Sequence, residues 1–290
     1  MFLEKGDIKF LNNFVDSKIV KMPNTVSVYM LKKYQHHLVK MLKEFDEFCK
    51  KNELEFFLVG GSALGAYRHD GFIPWDDDVD IAMLRADFEK MERCMKQQNN
   101  TLEMLVYSPV ENSIVPEAPI GHLYDLTVVN GKVEFAPKLD IHPLDGVPEK
   151  RGQQELQNIF SKVYYLGVYH LPAKNKGRFN RLVTKMLLLI IPDKIWSIIL
   201  RRCKHYFVRW DAVQSRMLCS LFGVAGYKKE VMPRKWIYPL EEREFEGCKF
   251  KVPGDAEHYL KRLYGNWREV PPEEKRIPAH NGYLHYEEIL

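Results

Sequence analysis

Four aspartates fall within five residues, Asp76, Asp77, Asp78 and Asp80, inside the stretch "FIPWDDDVDIAM". Carboxylates this close repel one another and resist burial unless something compensates their charge. On a strand, alternate side chains share a face, so Asp76, Asp78 and Asp80 point one way and Val79 and Ile81 the other. Carboxylates at i and i+2 on a rigid strand suit a hard divalent cation. Magnesium takes oxygen ligands and completes its shell with water and phosphate oxygens, and its charge removes the repulsion. The expected cofactor is therefore Mg2+ or Mn2+, shared by carboxylates of this cluster.

Just upstream, "FLVGGSALG" places a glycine–serine turn between a short apolar run and a helix-like segment. Gly61 and Ser62 are small enough for the backbone to approach a phosphate, and the free N–H groups of a helix N-terminus bind one. Ser62 fits the N-cap position of that helix. Two-metal phosphoryl transfer asks for a further carboxylate on the attacking side. Asp140 is the best candidate, because it alternates with Leu139 and Ile141 on a predicted strand and shares its face with His142. Asp145, directly before Gly146, reads instead as a turn residue. His142 fits a core histidine better than a ligand. Arg68 could clamp phosphate oxygens or simply answer the helix dipole beside His69. Trp75 could stack on a base or a choline-like cation, or pack.

Around these residues the chain must build a scaffold. "VSVYMLKKYQHHLVKMLKEFDEFCKK" places Tyr29, Leu31, Leu38, Met41, Leu42, Phe45 and Phe48 on one face of an amphipathic helix. "EFFLVGG" reads as a short strand, Val79 to Met83 as a second, Arg85 to Gln98 as a helix with Phe88, Met91 and Met95 inward, and Leu102 to Tyr107 as a third strand. Asn130-Gly131 signals a hairpin between two more strands, the second carrying "KLDIHPLDG". From Gln153 to about Phe222 the pattern is helical, followed by a strand pair in "REFEGCKFKVP" and a helix in "DAEHYLKRLYG". The expected fold is α+β: a mixed-sheet catalytic half, residues 1–148, and a mostly helical half, residues 149–290, packed on it.

At 290 residues, 46% hydrophobic and 28% charged, the chain is long enough for a full core, and its composition excludes disordered and fibrous classes. Five scattered cysteines without a CxxC pair argue against a disulfide framework or a cysteine zinc site and suit a reducing compartment. "MFLEKGDIKFLNNF" lacks the apolar core of a secretory signal. The expected location is cytoplasmic, with no nucleic-acid partner. Between Lys174 and Lys204, nine basic residues face a single acid, Asp193, and enclose "MLLLIIPDKIWSIIL". Fifteen residues broken by Pro192 are too short to span a bilayer. The general rule makes them two buried helical pieces with snorkelling basic ends. The rival reading is a membrane-facing patch at the inner face of the cytoplasmic membrane.

"FLVGGSALGAYRHDGFIPWDDDVDIAM" resembles the signature of the LicD family, a branch of the nucleotidyltransferase-fold superfamily that includes fukutin and fukutin-related protein. "LDIHPLDGVP" and "YLKRLYGNWREVPPEEKR" are similar to further family segments, so the resemblance runs from about Val26 to Arg276. It implies a nucleotidyltransferase-like core, with the glycine–serine motif on Gly61 and Ser62, the metal pair on Asp78 and Asp80, and the third acid on Asp140. Fifteen residues separate Ser62 from Asp78, longer than in the wider superfamily. The insertion, with Arg68, His69 and Trp75, would shape donor recognition. The implied activity is transfer of phosphocholine, or a related phospho-substituent, from CDP-choline or another CDP-linked donor to a hydroxyl of a cell-surface glycan or glycolipid, such as lipopolysaccharide, teichoic acid or capsule. A nucleotidyltransferase releasing pyrophosphate and a DxD glycosyltransferase using a nucleotide sugar are the rival enzymes. A non-enzymatic calcium- or glycan-binding module is the rival outside catalysis.

Overall fold

A computed structural model describes residues 24–99, 101–103, 105–107, 119–125, 136–169 and 177–278. The fold is α+β. Helix α1 (Asn24–Lys51) leads into strand β1 (Phe57–Leu58), helix α2 (Gly60–His69), strand β2 (Val79–Leu84) and helix α3 (Arg85–Gln97). Strands β3 (Leu105–Tyr107), β4 (Gly121–Asp125) and β5 (Lys138–Gly146) follow, then helices α4 (Arg151–Tyr169), α5 (Gly177–Ile190) and α6 (Asp193–Phe207). The remainder is β6 (Met217–Ser220), α7 (Tyr227–Glu230), β7 (Met232–Pro233), α8 (Arg234–Ile237), the hairpin β8 (Leu240–Phe245) and β9 (Cys248–Pro253), and helix α9 (Ala256–Tyr264). The Asn130-Gly131 turn lies outside the described residues, but β4 and β5 pair antiparallel, as strands flanking a hairpin do.

The sheet runs β1-β2-β5-β4-β3, and β6 pairs with the second half of β5 and with β7. Among the described strand pairs only β2–β5 is parallel. A nucleotide-sugar site of the doubly wound type would stand on a run of parallel strands. Strand β6 corrects one expectation. Residues 217–220 were expected to be helical, yet "MLCS" completes the hydrogen bonding of β5 where β4 ends, at Leu144, Asp145 and Gly146. An uncovered half of a central strand would leave buried backbone groups without partners.

Strand alternation sorts the sheet into a core face and a site face. Val79, Ile81, Leu139 and Ile141 are completely buried in the main core. On the same side α1 lays down Leu38, Met41 and Phe45, also fully buried, and α3 adds Phe88, Met91 and Met95. Each such side chain contributes roughly 1.5–3 kcal/mol of burial free energy. Tyr29 departs from the expected stripe and is exposed, because the buried line enters through Met30 and Tyr34 instead. A second core joins α4 and α6 through Tyr164, Val168, Trp196, Leu200 and Phe207. Gly167 allows that contact: a Cβ there would stand 2.7 Å from Leu200 Cδ2. All five cysteines are free thiols.

Candidate active site

Parallel pairing of β2 with β5 puts Asp80 and Asp140 in direct register, and Ala82 opposite His142. All four side chains therefore stand on the face opposite the Val79 and Ile81 core. The arrangement follows from sequence alternation, but the pairing partner is a tertiary fact.

Helix α2 begins at Gly60 with extended Val59 as its N-cap, so Ser62 lies one turn inside rather than at the cap. The buried Ser62 hydroxyl accepts the Asp80 backbone N–H at 3.0 Å, tying the start of the helix to the acid strand. Gly60 has φ +55°, and a Cβ there would meet Asp80 Oδ2 at 3.0 Å. A Cβ on Gly61 would stand 2.8 Å from Asp76 Oδ2. The glycines are needed because carboxylates lie directly over the first turn. The Gly60 N–H donates to the Tyr259 hydroxyl at 3.1 Å. The next N–H groups of a helix have no intrahelical partner and can bind an anion.

The acids differ in how they are held. Asp76 is pushed up to about 8, first by burial and then by the charges of Asp78, Asp80 and Asp77. The neighbouring carboxylates therefore make ionisation of Asp76 costly. Asp80 accepts a 3.0 Å hydrogen bond from His142 Nε2. Burial alone would raise the Asp140 carboxyl, but bonds from His122 Nδ1 at 2.7 Å and Lys138 Nζ at 2.6 Å hold it below the usual carboxylate range. Asp145 is not a turn residue. It lies within β5, completely buried, and takes a two-pronged bond from Arg85, Nε to Oδ1 at 2.8 Å and Nη2 to Oδ2 at 2.7 Å.

A cluster of carboxylate oxygens fits a hard divalent cation. The fit is best at Asp78 and Asp80, with Asp76 beside them. Asp140 takes one bond on each oxygen, from His122 and Lys138, and each oxygen keeps a lone pair for a further partner. Among the described residues, no three His, Cys, Asp or Glu side chains already stand at ligand spacing.

Gly61, Ser62, Asp78, Asp80 and Asp140 converge. Arg68 and His69 do not. They sit at the other end of α2, about 12 Å from Gly60 along the axis at 1.5 Å per residue. There the Arg68 guanidinium donates to the Trp267 carbonyl at 2.9 Å and to His69 Nε2 at 2.9 Å. Trp75 is half-buried, with the Arg276 guanidinium 5.5 Å above its ring.

Beside Asp80 opens a cavity of about 200 Å³, walled by Phe57, Val59, Ile237, Tyr259, Tyr264 and Glu230 among others, with His142 at its rim. Glu230 accepts the Ala225 N–H at 3.2 Å, and burial raises its carboxyl. Among the described residues no lysine or arginine forms an ion pair with it. Asp76, Lys138, His122, Glu230 and the two tyrosines were not assigned from the sequence. Only the first three carried a signal, as polar neighbours of the acid strands.

Residues 53–148 match the family described as LicD/FKTN/FKRP, nucleotidyltransferase domain. The Haemophilus influenzae protein named lipopolysaccharide cholinephosphotransferase LicD is 25% identical over 264 residues, covering 86% of this chain and 96% of that protein. An uncharacterized protein of Rickettsia prowazekii is 33% identical over 79 residues, 25% of this chain and 30% of that one. The segment that gathers the glycine–serine turn, the aspartate strand and Asp140 is thus the part of the chain that matches the LicD/FKTN/FKRP nucleotidyltransferase-domain family.

Proposed function

We propose that the protein is a metal-dependent phosphotransferase that moves phosphocholine, or a closely related phospho-substituent, from a CDP-linked donor to a hydroxyl of a cell-surface glycan or glycolipid. The carrying observation is the register pairing of Asp80 with Asp140 against the glycine-rich start of α2. The name of the Haemophilus influenzae relative supports the choice of substituent and of a lipopolysaccharide-type acceptor.

In this reading the first-turn N–H groups of α2 receive donor phosphate oxygens, with Ser62 fixing that turn against β2. Asp78 and Asp80 hold Mg2+ or Mn2+, which supplies charge neutralisation for the departing phosphate when bound. Asp140, kept ionised by His122 and Lys138, accepts the hydrogen bond of the acceptor hydroxyl and aims its oxygen. That oxygen forms a bond to the β-phosphorus, the bond from the β-phosphorus to the bridging oxygen breaks, CMP leaves with that oxygen, and the hydroxyl proton passes to solvent. Arg68 and His69 are assigned to holding the segment around Trp267 rather than to phosphate.

The reaction class is tested by product. Phosphocholine transfer releases CMP in step with choline incorporation, whereas nucleotidyl transfer leaves the nucleotide on the acceptor and releases pyrophosphate. CMP is the expected product with CDP-choline, and UDP-sugars should give no turnover. Pyrophosphate release from an NTP would replace this reading with the nucleotidyltransferase one.

The cavity beside Asp80 is assigned to the substituent. Its apolar walls suit methyl groups, and the Glu230 carboxylate with the tyrosine faces suits a quaternary ammonium. Glu230→Gln should raise KM for CDP-choline about tenfold and leave KM unchanged for the CDP ester of 3,3-dimethylbutanol, its uncharged isostere. An equal loss with both donors would remove Glu230 from cation recognition.

A further inference from the structure

Among the described residues of the stretch "MLLLIIPDKIWSIIL", only part enters the core. On α5, Leu182, Val183, Met186, Leu189 and Ile190 recur at i, i+1, i+4, i+7 and i+8, so they share one face, and that face is open. Leu189 is 77% and Ile190 68% exposed. On α6 the buried line is Trp196, Leu200, Cys203 and Phe207. The opposite side carries Ile195 and Ile198, 50% and 55% exposed. Exposed aliphatic residues on a monomer are normally scattered singly, and a contiguous set marks an interaction surface.

We propose that this α5–α6 face docks the protein peripherally on an anionic lipid surface. The charge pattern selects the occupant. Lys185, Lys194, Arg201 and Arg202 are all exposed around the apolar residues, and Asp193 is the one exposed acid between Lys185 and Arg202. An anionic leaflet meets every one of these cations favourably. A second copy packed on this face about a two-fold axis would instead press the same cations against each other.

No helix among the described residues is long and apolar enough to cross a membrane. An apolar face rimmed by lysine and arginine on short helices lies in the interface plane instead. Pro192, the N-cap of α6, breaks the segment into two separate short helices. The cavity and aspartate cluster take no part in this inference, which stands whatever the donor.

Sedimentation of the full chain with vesicles tests it. Binding is expected to phosphatidylcholine vesicles containing phosphatidylglycerol, not to phosphatidylcholine alone, and should weaken as salt rises. Each engaged basic residue is worth roughly fivefold in the binding constant. Arg201→Glu with Arg202→Glu should therefore weaken binding by roughly twentyfold or more. Leu189→Asp with Ile190→Asp should weaken it comparably. Lys235→Glu with Lys249→Glu, the same change of net charge outside the block, should have little effect. Circular dichroism checks that each variant is folded. Wild type remaining in the supernatant at low salt overturns the proposal. So does an equal loss in the Lys235/Lys249 control, or a dimer that the Leu189/Ile190 variant converts to monomer without any vesicle binding.

Discussion

Asp78→Asn and Asp80→Asn should each lower turnover by about a hundredfold or more, the scale expected when charge stabilisation of a phosphoryl-transfer step is removed. Neither change should unfold the protein. Without added metal, both variants should be as stable as wild type or slightly more so, because each removes one charge from a cluster that already forces Asp76 up to about 8. A second readout does not depend on activity. A cation at a hundred times its dissociation constant stabilises the folded state by about 2.7 kcal/mol. Magnesium should accordingly raise the melting temperature of wild type by several degrees and leave that of either asparagine variant nearly unchanged. Full turnover in EDTA, or an equal magnesium shift in all three proteins, would sink the assignment of the cation to Asp78 and Asp80.

The residues that were legible in the sequence are those whose role follows from local alternation. Asp80 and Asp140 each sit between apolar neighbours at a period of two, which fixes the face they share, and Asp78 stood out by its place in the acidic run just before β2. Gly61 was legible for a related reason: a small residue at a strand–helix turn implies a close approach. The sequence could not say that the approaching group includes the protein's own Asp76 and Asp80 carboxylates. His142 was read as a core histidine, yet it bonds Asp80 and lines the cavity, because its register partner lies 60 residues earlier in the chain. Glu230, Tyr259 and Tyr264 had no local signal, since α7 and α9 reach the site only through tertiary packing. In the segment 182–207 the expectation of buried helices holds for the Trp196, Leu200, Cys203 and Phe207 line of α6 and fails for the exposed face of α5. A helix-period apolar face looks the same in sequence whether protein or lipid covers it.

The same limit hid Asp145, and its replacement should have the largest effect on stability. Arg85 follows the end of β2 and Asp145 lies near the end of β5, so their two-pronged bond fastens the last residues of the parallel pair whose earlier residues align Asp80 with Asp140. The Asp145 side chain is completely buried and that of Arg85 is 12% exposed, so water cannot replace a lost partner. Asp145→Ala should therefore cost about 3–5 kcal/mol, because it strands a buried guanidinium. Replacing both partners by apolar residues, Arg85→Met with Asp145→Leu, removes the unpaired charge as well as the bond, and it should recover most of that loss. Urea midpoints of Arg85→Met, Asp145→Leu and the double measure the coupling. A single-variant cost below about 1 kcal/mol, or a double whose loss equals the sum of the singles, would show that the pair does not fasten the strands. Activity gives a separate check. Strand alternation places Asp145 off the face that carries Asp80 and Asp140, so the folded fraction of the double variant should keep wild-type magnesium dependence.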